Sequence, residues 1–187
     1  IPSADGEIPG YFDSQRFEIV FEDKTTAVLE SKSALARAFM VYDWEIIKDE
    51  KEILDSLLDE NFPLAEKIVL EEEPPLRRSN RGKITAKVEY ETYSENKSLI
   101  KVETDQDGIL FISDTWYPGW KAYVDGREVK VYRANFLFRA ISVSKGIHEV
   151  KFVYQPDSFA QGARISAASF AILLMFLVIG NYRQKKL

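Results

Sequence analysis

The chain has 187 residues, of which 45% are hydrophobic and 29% are charged, and its formal net charge is −5. This length suits one domain with a substantial core, and the composition excludes a disordered or collagen-like chain. The charge is uneven: residues 1–160 contain all 30 acidic residues and 21 basic ones, a net of −9, whereas residues 161–187 carry +4. An acidic body argues against nucleic acid as a partner, because phosphate contacts require clustered Lys and Arg.

The chain contains no cysteine and a single histidine, His148. These counts exclude a disulfide scaffold, a thiolate zinc site, a cysteine nucleophile and most metal sites, so we predict neither a metal nor a cofactor. The chain begins Ile-Pro-Ser and shows neither the charged nor the apolar region of a signal peptide. This pattern suggests the C-terminal piece of a longer protein.

Short apolar runs predict the first strands. Residues 17–22 and 25–30 are rich in β-branched and aromatic residues and flank Asp23-Lys24, which favours a hairpin. A third apolar run covers residues 37–42. We therefore predict β-structure in the N-terminal segment.

One amphipathic helix is predicted over residues 49–60. Its start, Asp49 to Glu52, is similar to a capping box, and four apolar residues follow at helical spacing. The helix lies within residues 43–73, where twelve acidic residues accompany three lysines, a pattern more typical of a solvated face than of a binding face. Residues 71–82 contain Glu-Glu-Glu-Pro-Pro and a basic, Ser/Asn/Gly-containing stretch, which predicts an exposed connection.

From residue 84 onward the patterns predict strands at 86–91, 98–104, 109–113, 136–143 and 147–155. The run 109–113 is apolar on both faces, as expected of a central strand. Several short strands separated by closely spaced turns favour an antiparallel sandwich.

Asp125-Gly126 predicts a two-residue hairpin, because a type I′ turn requires positive φ at both central positions. Pairing outward from this turn separates an apolar face from a polar one. The predicted pairs are Trp120–Val131 and Ala122–Val129 on the apolar face, and Lys121–Lys130 and Tyr123–Glu128 on the other.

Residues 165–182 form an uncharged run of 18 residues, which as a helix spans about 27 Å, close to the thickness of a bilayer core. A buried core helix is the alternative. Three basic residues follow the run and one, Arg164, precedes it. This bias predicts a cytoplasmic C-terminus, with residues 1–160 outside the cytoplasm of a bacterial cell membrane.

The candidate binding residues are concentrated between 114 and 135. Aromatic faces stack on sugar C–H groups, while carboxylates, Arg and Asn bond hydroxyls, although aromatic residues also build cores. The predicted substrate-binding residues are Asp114, Trp116, Tyr117, Tyr123, Arg133 and Asn135. Trp120 is interpreted as a core residue because it falls on the apolar face.

Catalysis has weaker candidates, and we predict no catalytic residue. His148 shares a strand face with Val150 and Phe152, which fits a partly buried structural histidine better than a general base. Asp114 and Asp125 would be a carboxylate pair of the kind that glycosidases use, but turn geometry already explains Asp125.

The run Tyr117-Pro-Gly-Trp-Lys-Ala-Tyr-Val-Asp-Gly126, followed by Tyr132-Arg-Ala-Asn135, resembles the C-terminal region of the YfhO family of bacterial polytopic membrane proteins. Upstream, Ala34-Leu-Ala-Arg-Ala-Phe39 is similar to another family segment, with Ala36 where proline is usual. The resemblance extends from about residue 17 to the C-terminus.

This resemblance implies a parent similar to the GT-C class of glycosyltransferases, which use polyprenyl-phosphate-linked sugars outside the cytoplasm. Some members are linked to the glycosylation of cell-wall polymers such as teichoic acids. The catalytic acid of that class lies near the N-terminal membrane helices, so no catalytic residue carries over to this chain.

We therefore predict a mainly β, antiparallel sandwich-like extracytoplasmic domain with one amphipathic helix and a C-terminal transmembrane helix. Its expected role is that of an accessory domain and last membrane anchor, which positions a glycan or cell-wall polymer for the rest of the parent protein. The alternative is a non-catalytic structural module that packs on the parent without binding sugar. The predicted parts are N-terminal strands and a helix packing on the β domain (1–82), the sandwich core (83–157), the transmembrane helix (158–182) and a cytoplasmic basic tail (183–187).

Overall fold

Strands dominate the part of the chain that the computed structural model describes, residues 15–76 and 84–184, with side chains described as far as Phe176. In chain order the elements are β1 (Phe17–Glu22), β2 (Ala27–Ser31), β3 (Ala38–Val41), β4 (Asp43–Ile46), α1 (Glu50–Leu57), β5 (Lys67–Leu70), β6 (Ala86–Ser94), β7 (Lys97–Thr104), β8 (Gly108–Thr115), β9 (Trp120–Val124), β10 (Arg127–Val129), β11 (Tyr132–Ala134), β12 (Phe138–Val143), β13 (Gly146–Tyr154) and α2 (Asp157–Gln184). The predicted mainly β fold class is confirmed. Part of the predicted connection (77–82), part of the basic tail (185–187) and the domain boundary at 82–83 lie outside the described residues, and that boundary stays a prediction.

The predicted N-terminal hairpin is confirmed in β1 and β2, which pair antiparallel from Phe17 opposite Ser31 to Glu22 opposite Ala27. The second strand begins two residues later than predicted because the turn is longer. The carboxylate of Asp23 accepts the backbone N–H groups of Thr25 and Thr26, each at 2.8 Å. Residues 1–36 form one compact unit and residues 37–187 form another.

In the second unit, two sheets enclose a shared core. One sheet has the strand order β10-β9-β13-β7-β6 and the other the order β3-β8-β12-β11-β5-β4. Buried side chains from both sheets form one cluster: Ala38, Met40, Ile100, Val102, Leu110, Ile112, Ala122, Ile141, Val143, Val150 and Phe152. The predicted antiparallel sandwich is confirmed.

The six-stranded sheet is apolar on its other face as well. Trp44, Ile68, Leu70, Ile109 and Phe111 belong to a second buried cluster. Strand β8 contributes to both clusters and lies between β3 and β12, so the prediction of a central strand at 109–113 is confirmed. A strand buried on both faces explains why this run lacks polar alternation.

A parallel pair, β4 and β5, lies in the segment that the sequence analysis interpreted as a solvated acidic face. Helix α1 connects the two strands, as a parallel pair requires. The side chain of Asp49 caps α1 by accepting the N–H groups of Lys51 and Glu52, and Ile53 is buried. Most acidic side chains here are exposed, but two strands of four residues each went unpredicted because such short runs carry little periodicity.

The Asp125-Gly126 turn has positive φ at both positions, 51° and 78°, as predicted. The pairs Ala122–Val129 and Tyr123–Glu128 are confirmed. Strand β10 ends at Val129, so the two further predicted pairs lie beyond the ladder. Lys130 instead forms an ion pair with Glu72.

Helix α2 has 28 residues, a length of about 42 Å. Its segment Asp157–Phe176 has a mean hydropathy of 1.4, and none of it is buried against the rest of the protein. A core helix would be buried, so exposure disfavours that alternative. By length and composition, α2 is a candidate membrane span.

Candidate functional site

A cleft of about 460 Å³ lies where β8 ends and β9 begins. Its walls come from β6, β8, β9, β12 and β13 and from the turn between β6 and β7. The lining residues are Tyr93, Glu95, Asn96, Asp114, Thr115, Tyr117, Trp120, Arg139 and Tyr154. This volume lies within the range of small-ligand sites in proteins.

The Pro118-Gly119 bend carries the chain from β8 into β9 across this cleft. Gly119 has φ +107°, and a Cβ there would lie 2.9 Å from the Cα of Pro156. The carbonyl of Gly119 accepts the N–H of Gln155 at 2.7 Å. Only glycine permits this close approach of two backbone segments.

A bulge in β8 sets the position of Asp114. Strand β12 pairs Phe138 with Thr115 and the next residue, Arg139, with Ile112, so Ser113 and Asp114 are extra residues in β8. Bulges re-aim side chains at functional sites. Here the bulge brings the carboxylate of Asp114 within 2.7 Å of Nη2 of Arg139.

The Asp114–Arg139 pair is largely shielded from water, with side-chain exposures of 11% and 4%. The hydroxyl of Tyr93 donates to Asp114 at 3.2 Å, and Nε of Arg37 lies 3.8 Å from the same carboxylate. Burial lowers the pKa of Arg139, and the charge of Asp114 opposes that shift. The carboxylate therefore holds a buried guanidinium in its charged form.

The guanidinium of Arg139 also lies against aromatic rings. Its central carbon is 3.8 Å from the ring centroid of Trp120 and 5.3 Å from that of Phe152. Its Nε and Nη1 atoms have no hydrogen-bond partner among the described residues. Cation–π contact offsets part of the desolvation cost at these two atoms.

Aromatic side chains form the more open part of the cleft. Tyr117 is 61% exposed, the largest exposure among the aromatic residues of this cleft. Its ring centroid lies 6.4 Å from that of Tyr154, which in turn lies 5.3 Å from that of Trp120. The three rings lie side by side along the cleft, with Tyr117 exposed and Tyr154 and Trp120 half-buried.

The structure brings two of the six predicted binding residues, Asp114 and Tyr117, into this cleft. Trp116 precedes Tyr117 and is half-buried, and its N–H donates to the carbonyl of Leu137. Tyr123 lies four residues into β9, opposite Glu128, and does not line the cleft. The binding roles of these residues stay predictions.

Arg133 and Asn135 also lie away from the cleft, and their side chains hold a turn between β11 and β12. The side-chain oxygen of Asn135 accepts a hydrogen bond from the backbone N–H of Val69 at 2.8 Å. The backbone N–H of Asn135 donates to the carbonyl of Val69 at 2.9 Å. Arg133 Nε donates to the carbonyl of Phe136, a residue with φ 70°. The Tyr132–Asn135 motif is thereby explained by backbone pairing.

Sequence reasoning missed Arg139, Tyr93 and Tyr154. Arg139 is an isolated charge in the otherwise apolar run of β12, and a buried charge requires a partner. That signal was present in the sequence. No local signal indicates that the partner is Asp114 or that Tyr93 and Tyr154 face the same cleft.

The remaining candidates lie at the other end of β9. His148 has a side-chain exposure of 13%, and its Nδ1 lies 2.7 Å from Oδ2 of Asp125. Asp125 and Asp114 line different clefts and so do not form the carboxylate pair considered above. Within residues 15–76 and 84–184, no group of three or more His, Asp or Glu side chains is arranged to hold a metal ion.

Comparison with known proteins gives one family. The family model of the bacterial membrane protein YfhO matches residues 76–166, from within the predicted connection into α2. Over these residues the chain belongs to the YfhO family. The chain is similar to the "Uncharacterized protein YfhO" of Bacillus subtilis (strain 168), with 20% identity over 93 residues.

That match covers 50% of this chain and 11% of the Bacillus YfhO protein, so the chain corresponds to a small part of its relative's length. The residues matched by the family model contain the cleft residues from Tyr93 to Tyr154 and the first part of α2. No solved structure matches the chain. YfhO membership and the apolar helix together indicate a membrane protein.

Proposed function

We propose that the sandwich is a carbohydrate-recognition domain of a YfhO membrane protein, and that the cleft holds a glycan or cell-wall polymer acceptor for a glycosyltransferase centre elsewhere in the whole protein. The observation that carries this proposal is an aromatic pair, exposed Tyr117 and half-buried Tyr154, in the same cleft as a carboxylate fixed by Arg139. Sugar rings offer apolar C–H faces and a rim of hydroxyls, which match these two features.

The carboxylate of Asp114 is suited to accept hydroxyl protons. It is held by one strong charge-assisted bond from Arg139 and a weaker contact from Tyr93, and a carboxylate has about four acceptor positions in all. Asp114 lines the cleft with 11% of its side chain exposed, and in this proposal a ligand hydroxyl uses its remaining acceptor capacity. Asn96 and Glu95 also line the cleft and add polar groups.

The position of the cleft relative to α2 supports a membrane-proximal ligand. Tyr154 ends β13 and α2 begins at Asp157, so the aromatic wall is three residues from the start of the candidate membrane span. The acidic body and basic tail favour an extracytoplasmic side for this cleft. A lipid-linked glycan or a polymer at the membrane surface would reach it there.

The proposal is tested by glycan binding to the full chain in detergent micelles, first on a glycan array and then by titration with a ligand selected from it. Tyr117→Ala should weaken binding about tenfold, because a lost stacking contact of about 1.4 kcal/mol corresponds to that factor. Phe21→Ala is the matched control, since Phe21 is an aromatic residue of similar exposure, 54%, that does not line the cleft.

Equal affinity of both variants and the parent chain, or no glycan binding by the parent chain, would contradict the proposal. The domain would then be the structural module that packs on its parent. Because Tyr117 is mostly exposed, its truncation should leave the thermal unfolding temperature unchanged, which separates lost binding from lost folding.

A further inference from the structure

A second cleft, of about 550 Å³, lies at the opposite end of β9 and β13 from the cleft that contains Tyr117. Ser144, His148 and Asp125 all line it, together with apolar side chains that include Val124 and Val129. Ser144 and Asp125 lie in different turns and His148 lies in β13. The turn between β12 and β13 brings Ser144 to His148, and the pairing of β9 with β13 brings Asp125 to it.

The three side chains form a continuous hydrogen-bonded chain. Oγ of Ser144 lies 3.2 Å from Nε2 of His148, and Nδ1 of His148 lies 2.7 Å from Oδ2 of Asp125. The other oxygen of Asp125 accepts the N–H of Glu149 at 2.9 Å, which fixes the carboxylate. A hydroxyl, a base within reach of it and a group that orients the base are the parts of an activated serine nucleophile.

The direction of these hydrogen bonds follows from the chemistry of the groups. The carboxylate of Asp125 only accepts, and the His148 contact lowers the pKa of Asp125, which keeps it ionised. Nδ1 of His148 must therefore carry the proton. In the neutral imidazole Nε2 is then the acceptor, so the Ser144 hydroxyl donates to it.

The backbone around the group leaves room for this contact. Gly146 has φ +137°, and a Cβ at that position would lie 3.2 Å from Nε2 of His148. Any larger residue would crowd the imidazole nitrogen that faces Ser144. The glycine between the serine and the histidine thus permits their approach.

We infer that Ser144, His148 and Asp125 form an acyl-transfer site that cleaves carboxylic esters with a short acyl group. Ser144 and His148 are its catalytic residues, and Asp125 is a positioning residue. The apolar wall of Val124 and Val129 suits a short acyl chain. The guanidinium of Arg127, on the same cleft, supplies positive charge for the oxyanion that forms during attack.

The reaction balances without a cofactor. Oγ of Ser144 forms a bond to the ester carbonyl carbon as its proton passes to Nε2 of His148. The carbon–oxygen bond to the alcohol breaks, and the leaving oxygen takes that proton. Water then attacks the carbonyl carbon of the acyl-serine and gives one proton to Nε2. The bond between that carbon and Oγ breaks, and Oγ takes the proton from Nε2, so that the net products are an acid and an alcohol.

The test uses the full chain in detergent micelles, a fluorophosphonate probe and p-nitrophenyl acetate. We expect covalent labelling of Ser144, located by peptide mass spectrometry, and ester hydrolysis that falls at least a hundredfold in Ser144→Ala. Ser142→Ala is the matched control, because Ser142 lines the same cleft and its hydroxyl has no hydrogen-bond partner among the described residues.

Asp125→Asn separates a positioning role from a structural one. Asparagine suits a type I′ turn, so the fold should persist, but its side chain no longer fixes the imidazole tautomer. We expect a large fall in kcat, a small change in KM and an altered pH profile of kcat. Absence of label at Ser144, or equal hydrolysis by the parent chain and Ser144→Ala, would overturn the inference.

Discussion

A guanidinium buried against two aromatic rings costs free energy unless a carboxylate meets it. In this protein Asp114 and Arg139 form an ion pair at 2.7 Å, and both residues line the cleft that contains Tyr117. The pair therefore links stability to the proposed function, since one residue cannot change without exposing the other's charge to an apolar surrounding.

Asp114→Ala should lower the free energy of unfolding by roughly 3–5 kcal/mol, because it leaves the charge of Arg139 buried and uncompensated. The measurement is chemical denaturation of the full chain in detergent. Arg37→Ala is the control: Arg37 contacts the same carboxylate at 3.8 Å but is 52% exposed, so its loss should cost about 1 kcal/mol or less. Equal effects of both variants would show that the buried pair is not the stabilising contact.

At the scale of elements, two glycines with positive φ differ in how closely other atoms approach them. Gly126 lies in an open hairpin turn with no atom near its potential Cβ, whereas Gly119 meets the backbone of Pro156. The contact at Gly119 joins the start of β9 to the segment between β13 and α2. It fixes the start of β9, which forms one wall of the cleft that contains Tyr117, relative to the helix that follows.

Gly126→Ala should cost about 1–2 kcal/mol, the strain of a left-handed conformation alone. Gly119→Ala should cost more, because its new Cβ would lie 2.9 Å from the Cα of Pro156 and one segment must move. Thermal unfolding of both variants in detergent measures the difference. A smaller shift for Gly119→Ala than for Gly126→Ala would contradict the close approach described here.

At the scale of the whole molecule, charge is divided between an acidic sandwich and a basic end beyond an apolar helix. We predict that the sandwich lies outside the cytoplasm and that the C-terminal end of α2 lies inside it. The absence of cysteine makes this testable, because an introduced cysteine is then the only thiol in the chain.

Lys101→Cys, on the exposed side of β7, should react with a membrane-impermeant maleimide in intact bacterial cells. Gln184→Cys, at the end of α2, should react only after the cells are permeabilised. The two variants control for each other, since each reports one side of the membrane. The reverse labelling pattern would place the sandwich in the cytoplasm and rule out the predicted orientation.

Much of the fold was predictable because neighbouring residues determine it. Alternating side chains indicated the strands, Asp125-Gly126 indicated its own turn, and a run of uncharged residues indicated α2. The parallel pair β4–β5 escaped prediction because each strand has four residues, and its pairing depends on a helical crossover.

By itself, the sequence determined the class of fold, the apolar helix and the region in which the candidate binding residues are concentrated. Only the tertiary structure decided which of those residues meet. Asp114 joins Arg139 across 25 residues because β12 lies beside β8, and His148 joins Asp125 across 23 residues because β13 lies beside β9. Strand order is a property of the packed sandwich, and no local pattern specifies it.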